Sequence, residues 1–131
     1  MRQSEIERTA EEVLSAHGLT SLSVDPLALA RQEGIHVLAG RYGECFDARI
    51  EHRDGPGGGR YYLFYAEEEP PHRPASAVRF SVAHELGHFF LAPHRDYLLS
   101  GTWHGRHAGF IYDDRLEREA DSFAKALLAP R

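Results

Sequence analysis

The stretch RFSVAHELGHFFL, residues Arg79 to Leu91, decides how the rest of the chain is read. On a helix, His84 and His88 are offset by about 40° around the axis and about 6 Å along it, so both imidazoles can hold one metal ion from the same face. Glu85 lies about 100° round from His84 and flanks that face, where its carboxylate can reach a metal-bound water without being a ligand itself. Val78, Val82, Leu86, Phe89 and Phe90 gather on the far side. The spacing predicts a helix with one side for the core and the other for a metal.

Composition bounds what surrounds this helix. A chain of 131 residues with 42% hydrophobic content is expected to form one domain, residues 1–131, with a single core. Lys+Arg 15 against Asp+Glu 20 gives a net charge of -5, and with no basic stripe in view a nucleic-acid surface is not expected. Cys45 is the only cysteine, so no internal disulfide can form; it reads as a small buried residue in a reducing compartment. The start, MRQSEIERTAEEV, has no apolar leader, and no uncharged apolar run approaches the roughly 18 residues of a membrane span. A cytoplasmic protein with no membrane partner is expected.

In chain order, Ser4 can cap a helix with Ile6, Ala10, Val13 and Leu14 at helical spacing and Gly18 as its stop. Asp25-Pro26 opens a short helix, Leu27 to Glu33, closed by Gly34. Ile35 to Ala39 reads as a strand, and Phe46, Ala48 and Ile50 alternate with Asp47, Arg49 and Glu51 as in a half-buried one. The glycine-rich run DGPGGGR, Asp54 to Arg60, lacks the GK[ST] ending of a phosphate loop and reads as a hairpin connection. Arg60 to Ala66, RYYLFYA, is the third strand. Short turns between three strands predict an antiparallel sheet packed with about four helices, an α+β class.

Glu67 to Pro74 reads as a solvated connection in which Pro74 pre-sets the start of the metal helix. Ala92-Pro93 ends that helix. The long stretch His94 to Tyr112 then reads as an irregular lid or binding loop.

Asp113 or Asp114 can cap the last helix, Arg115 to Leu128. Around its wheel, Asp121, Ala124 and Leu128 stay within about 40° of Glu117, while Arg118, Glu119, Ser122 and Lys125 fall opposite. Two carboxylates on an otherwise apolar, small-residue face are costly to bury unless something pairs with them, and a metal site supplies that partner. Glu117 is the third candidate ligand, and Asp121 is placed to accept the free ring N–H of a ligand histidine, most naturally His84. His94 competes, since it follows His84 by the ten residues of the HExxHxxGxxH pattern. That pattern's glycine is replaced here by Leu91, and the only methionine is Met1, so no Met-turn can lie beneath the site. Glu119 is the remaining alternative.

RFSVAHELGHFFL followed by LEREADSFAKALLAP, residues 116–130, resembles the ImmA/IrrE family of zinc metallopeptidases, a branch of the gluzincins. Upstream, VDPLALARQEGIHV, residues 24–37, is similar as well. The resemblance implies a zincin-like fold, Zn2+ held by His84, His88 and Glu117, and Glu85 as the catalytic carboxylate. It also implies a protein substrate, a helix-turn-helix transcriptional repressor. Relatives often continue into further helices or a sensor domain, whereas this chain stops at Arg131, so a minimal or trimmed member is expected.

The expected reaction is peptide-bond hydrolysis, with Glu85 taking the water's proton and delivering it to the leaving amine. An extended substrate would pair with an exposed sheet edge, for which Arg60 to Ala66 is the leading candidate. Oxyanion or substrate contacts would come from Tyr97, His104, His107 or Tyr112. The rival reading is a zinc-containing binding module that sequesters a repressor or toxin partner without cutting it.

Overall fold

The first two helices end on the same device. Helix α1 (Gln3–Ala16) stops where Gly18 takes φ +64°, with Leu19 N–H reaching Leu14 O at 2.8 Å and Gly18 N–H reaching Ser15 O at 3.1 Å. Helix α2 (Pro26–Gln32) repeats it at Gly34, φ +82°, with Ile35 N–H on Ala30 O and Gly34 N–H on Arg31 O, each at 3.0 Å. Both are Schellman closures, in which a left-handed residue lets the last carbonyls find donors. Glycine is the residue that adopts this conformation without a steric penalty. At the other end of α2, Asp25 accepts from Leu27 N–H at 3.1 Å. Ser4 does not cap α1: Arg2 holds that position, and the Glu5 carboxylate accepts the Arg2 N–H at 3.0 Å.

The computed structural model describes residues 1–42, 46–67, 75–100 and 113–129. Cys45, most of the 67–74 connection with Pro74, and His104, His107 and Tyr112 lie outside them.

Strands β1 (His36–Gly40), β2 (Ala48–Arg53) and β3 (Arg60–Ala66) form one sheet in the order β1-β3-β2. β2 and β3 pair antiparallel with Ile50 opposite Leu63, but β1 and β3 run parallel with Val37 opposite Leu63. The sheet is therefore mixed, and the expected all-antiparallel meander is corrected. Among the described residues, only the 54–59 turn makes a hairpin. β1 lies on the flank of β3 opposite β2 and runs in the same direction as β3. A second correction follows. Arg60–Ala66 is the central strand, with its backbone committed on both sides, and cannot receive a further strand; β1 and β2 hold the outer positions.

Helix α3 (Ala75–Phe90) contains the HELGH segment and packs against β2, β3, α2, α4 and α5. Its buried residues include Val82, Leu86 and Phe89, as the core side of the wheel requires, and also Gly87 and His88. The metal side of the helix is thus interior too. Each fully buried side chain of Leu or Phe size stabilises the fold by about 1.5–3 kcal/mol over its exposed state, and with Leu86 at 0% exposure and Val82 at 1% α3 is anchored through its second half.

Of the stretch His94 to Tyr112, expected to be irregular, the described part up to Ser100 is helical. Ala92–Ser100 forms helix α4, which makes five α-helices among the described residues, of which α2, α3 and α4 pack on the sheet. Pro93 sits in its first turn, where a missing N–H costs nothing, and His94 and Arg95 N–H close on Leu91 O at 2.9 and 3.0 Å. Arg95 locks the α3–α4 corner: its Nε donates to Phe89 O at 2.7 Å and its guanidinium lies 4.5 Å from the Phe89 ring centroid. Helix α5 (Asp114–Leu128) begins at Asp113, whose carboxylate accepts from Arg115 and Leu116 N–H at 2.9 and 3.2 Å. It buries Leu116, Ala120, Phe123, Ala124 and Leu127 and packs against α1 and α3.

Candidate metal centre

Helices α3 and α5 approach closely at Gly87. A Cβ there would stand 3.2 Å from Ala120 Cα and Phe123 Cβ and 3.3 Å from Ala120 O, inside ordinary carbon–carbon contact. The absent side chain lets α5 bring Glu117 and Asp121 onto the histidines of α3.

His84 Nε2 lies 2.6 Å from Glu117 Oε2, and His84 Nδ1 lies 2.6 Å from Asp121 Oδ1. His88 Nε2 is 3.2 Å from His84 Nε2 and 3.4 Å from Glu117 Oε2. Glu85 Oε2 stands 3.7 Å from His88 Nε2. His84, Glu85 and His88 together offer three ligand atoms within 4.8 Å of one another.

The donor set fits a zinc ion. Ligands at about 2.0–2.1 Å in tetrahedral array stand about 3.3–3.4 Å apart. The separations of 3.2 and 3.4 Å made by His88 Nε2 already have that size, and only the 2.6 Å contact between His84 and Glu117 must open, by under 1 Å.

The electrostatics of the cluster follow from burial and from the hydrogen bonds and charges its members place beside one another. Burial opposes a charge on His84, but its hydrogen bond to Glu117, the charges of Glu85 and Glu117 and the bond to Asp121 outweigh that and raise it to about 9. Burial pushes Glu85 up to about 8; the Glu117 charge adds to this, while His84, Arg49 and a hydrogen bond from the Ile50 backbone pull the other way. His88 is lowered to about 4, chiefly by burial. Glu117 is held well below the usual carboxylate range, since the hydrogen bonds and charges of His84 and His88 overcome its burial.

A second set of residues stands behind His88. His94, fully buried on α4, places Nδ1 2.9 Å from His88 Nδ1, on the side away from Glu117, and Nε2 2.8 Å from Glu119 Oε1. Glu119 is itself buried at 8% exposure, and its other oxygen lies 2.5 Å from the Met1 ammonium. The wheel placed Glu119 opposite Glu117, and on that side it meets His94 of α4. Tyr97 is 40% exposed on α4, and among the described residues no hydrogen bond ties its hydroxyl to the cluster.

A family model, Peptidase_M78, described as the IrrE N-terminal-like domain, matches residues 30–131. The chain belongs to this family. Neither a curated protein nor a solved structure matches it. Membership in the IrrE N-terminal-like peptidases gives the chain a metallopeptidase-type function, and the His84–Glu85–His88 group is where it can hold a metal ion. The match runs from α2 to beyond α5 and so takes in every residue of the cluster. Among the described residues, no helix of this family member is long and apolar enough to cross a membrane.

Proposed function

We propose that the protein is a zinc-dependent endopeptidase acting in the cytoplasm on a protein substrate, a helix-turn-helix transcriptional repressor. The observation that carries this reading is the convergence of His84 Nε2, His88 Nε2 and Glu117 Oε2 at 2.6, 3.2 and 3.4 Å, with the Glu85 carboxylate beside them and not among them. His84, His88 and Glu117 hold the metal, and Asp121 orients His84 through its Nδ1–H. A zinc ion bound there supplies Lewis-acid polarisation of a peptide carbonyl and of a water molecule.

Glu85 is the general base and then the general acid. Its raised affinity for a proton, to about 8 in the metal-free cluster, suits a carboxylate that takes a proton from water and returns it to the departing amine. Ile50 N–H, donated to Glu85 from β2, fixes the carboxylate against the strand. Since β2 is an outer strand and its Ile50 amide points away from β3, an extended substrate peptide has an edge to pair with beside Glu85. That edge replaces Arg60–Ala66 as the substrate strand. The repressor class rests on the ImmA/IrrE likeness.

The test is cleavage. Zinc-loaded wild type, incubated with a helix-turn-helix repressor encoded beside it, is expected to yield a discrete fragment pair, while Glu85→Gln binds zinc and the repressor and yields none. If wild type and Glu85→Gln both bind the repressor and neither cuts it, the protein is a sequestering module and the endopeptidase reading falls.

A further inference from the structure

The two candidate ligand histidines are braced differently, and the difference assigns protons. His84 meets the carboxylate of Asp121 directly, Nδ1 to Oδ1 at 2.6 Å. His88 Nδ1 lies 2.9 Å from His94 Nδ1, and the far nitrogen of His94 reaches the carboxylate of Glu119 at 2.8 Å. Two imidazole nitrogens at that distance must be one donor and one acceptor. A carboxylate accepts only, so His94 Nε2 carries the proton that points to Glu119. The lone pair of neutral His94 is then on Nδ1, and His88 must supply the Nδ1–H. This leaves the His88 lone pair on Nε2, the atom that faces His84 and Glu117.

We propose that His94 and Glu119 form a buried relay that positions His88, fixing its ring and its Nδ1–H tautomer so that Nε2 is presented to the metal. The proposal rests on the zinc reading above but concerns residues that touch neither metal nor substrate. Burial gives the relay its force: His88 and His94 are both at 0% exposure, so water cannot substitute for a lost partner, and a donor left unpaired there bears its full desolvation penalty. The geometry also explains why His94 is not itself a ligand. Its Nδ1 is occupied on the back of the His88 ring, and its Nε2 is turned to Glu119.

The experiment has a metal-free arm and a metal arm. In metal-free wild type, nitrogen-15 NMR of the histidine rings is expected to show His88 as the neutral Nδ1–H tautomer and His94 as Nε2–H; His88 in the Nε2–H form overturns the relay whatever the protein binds. In the metal arm, zinc affinity is read by competition with a chromophoric chelator, and the cobalt-substituted protein by its visible ligand-field bands. His94→Phe, which keeps a ring but no acceptor, is expected to loosen zinc by about 10–100-fold and to shift the cobalt bands. His94→Gln, whose amide oxygen can still accept from His88, recovers part of that loss. Wild-type affinity in His94→Phe overturns the proposal. If wild type itself takes up no zinc, the proposed function falls instead, and the NMR arm alone decides the relay.

Discussion

A valine at position 87 should separate the two helices that make the site. The Cβ alone would sit 3.2 Å from Ala120 Cα and Phe123 Cβ, against a comfortable carbon–carbon distance of about 3.5–4.0 Å. Alanine therefore requires a few tenths of an ångström of movement and regains about 0.5–1 kcal/mol of helix preference over glycine, so Gly87→Ala should be close to neutral. Valine adds two γ-carbons against the same backbone, and overpacking of this kind costs about 1–3 kcal/mol. For a chain of this size that is a fall of roughly 3–15 °C in unfolding temperature. Glu117 lies on α5 only about 4.5 Å of helical rise before Ala120, so a displaced helix also moves Glu117 Oε2 from its places 2.6 Å from His84 Nε2 and 3.4 Å from His88 Nε2. Zinc affinity should drop by about 10-fold or more, because a ligand set must be held to within about 0.5 Å. Circular dichroism melts of metal-free Gly87→Ala and Gly87→Val, with chelator competition for zinc, measure both effects. A Gly87→Val protein that melts and binds zinc like wild type would refute the claim that this contact sets the position of Glu117.

Four further outcomes can be measured. In the metal-free protein, His84 at about 9 and Glu85 at about 8 keep protons that the unfolded chain releases near 6.5 and 4.5. The folded state binds the extra protons, so stability present below pH 6.5 for His84 is lost as pH rises toward 9, and Glu85 adds to the loss up to about 8. Melting temperature should fall between pH 6.5 and 8.5, and a flat or rising profile contradicts the assignment. The same protons make zinc uptake proton-releasing: calorimetry at pH 7 in buffers of different ionisation enthalpy should show about one proton from His84 per zinc, and no buffer dependence would exclude it. Asp121→Ala, which removes the acceptor of His84 Nδ1–H, should weaken zinc by about 10–100-fold with little change in metal-free melting, since Asp121 is 47% exposed as a side chain. Asp113→Ala, which leaves Arg115 and Leu116 N–H without their acceptor, should cost about 1 kcal/mol in chemical denaturation; no measurable loss would show that water caps α5 equally well.

The parts of the molecule legible in the sequence are those set by short-range periodicity and local capping. Gly18 and Gly34 stop their helices because a left-handed residue is a local requirement, and the HELGH helix shows itself because its core side repeats at 3.6 residues. The parallel pairing of β1 with β3 was not legible, since nothing in HVLAG or RYYLFYA records which neighbour each strand takes. Glu119 shows the limit most clearly. A helical wheel gives the angle of a side chain but not what stands opposite it, and with the stretch from His94 to Tyr112 read as irregular, the sequence offered Glu119 no partner from the Ala92–Ser100 segment. Once that segment is a helix, the direction opposite Glu117 is filled by His94, and Glu119, His94 and His88 become one connected line. The signal was present in a different form. A histidine six residues after His88 and a carboxylate two residues after Glu117 can meet only if the chain turns back at once after α3, and Pro93 is what a helix start, as much as a helix end, would place there.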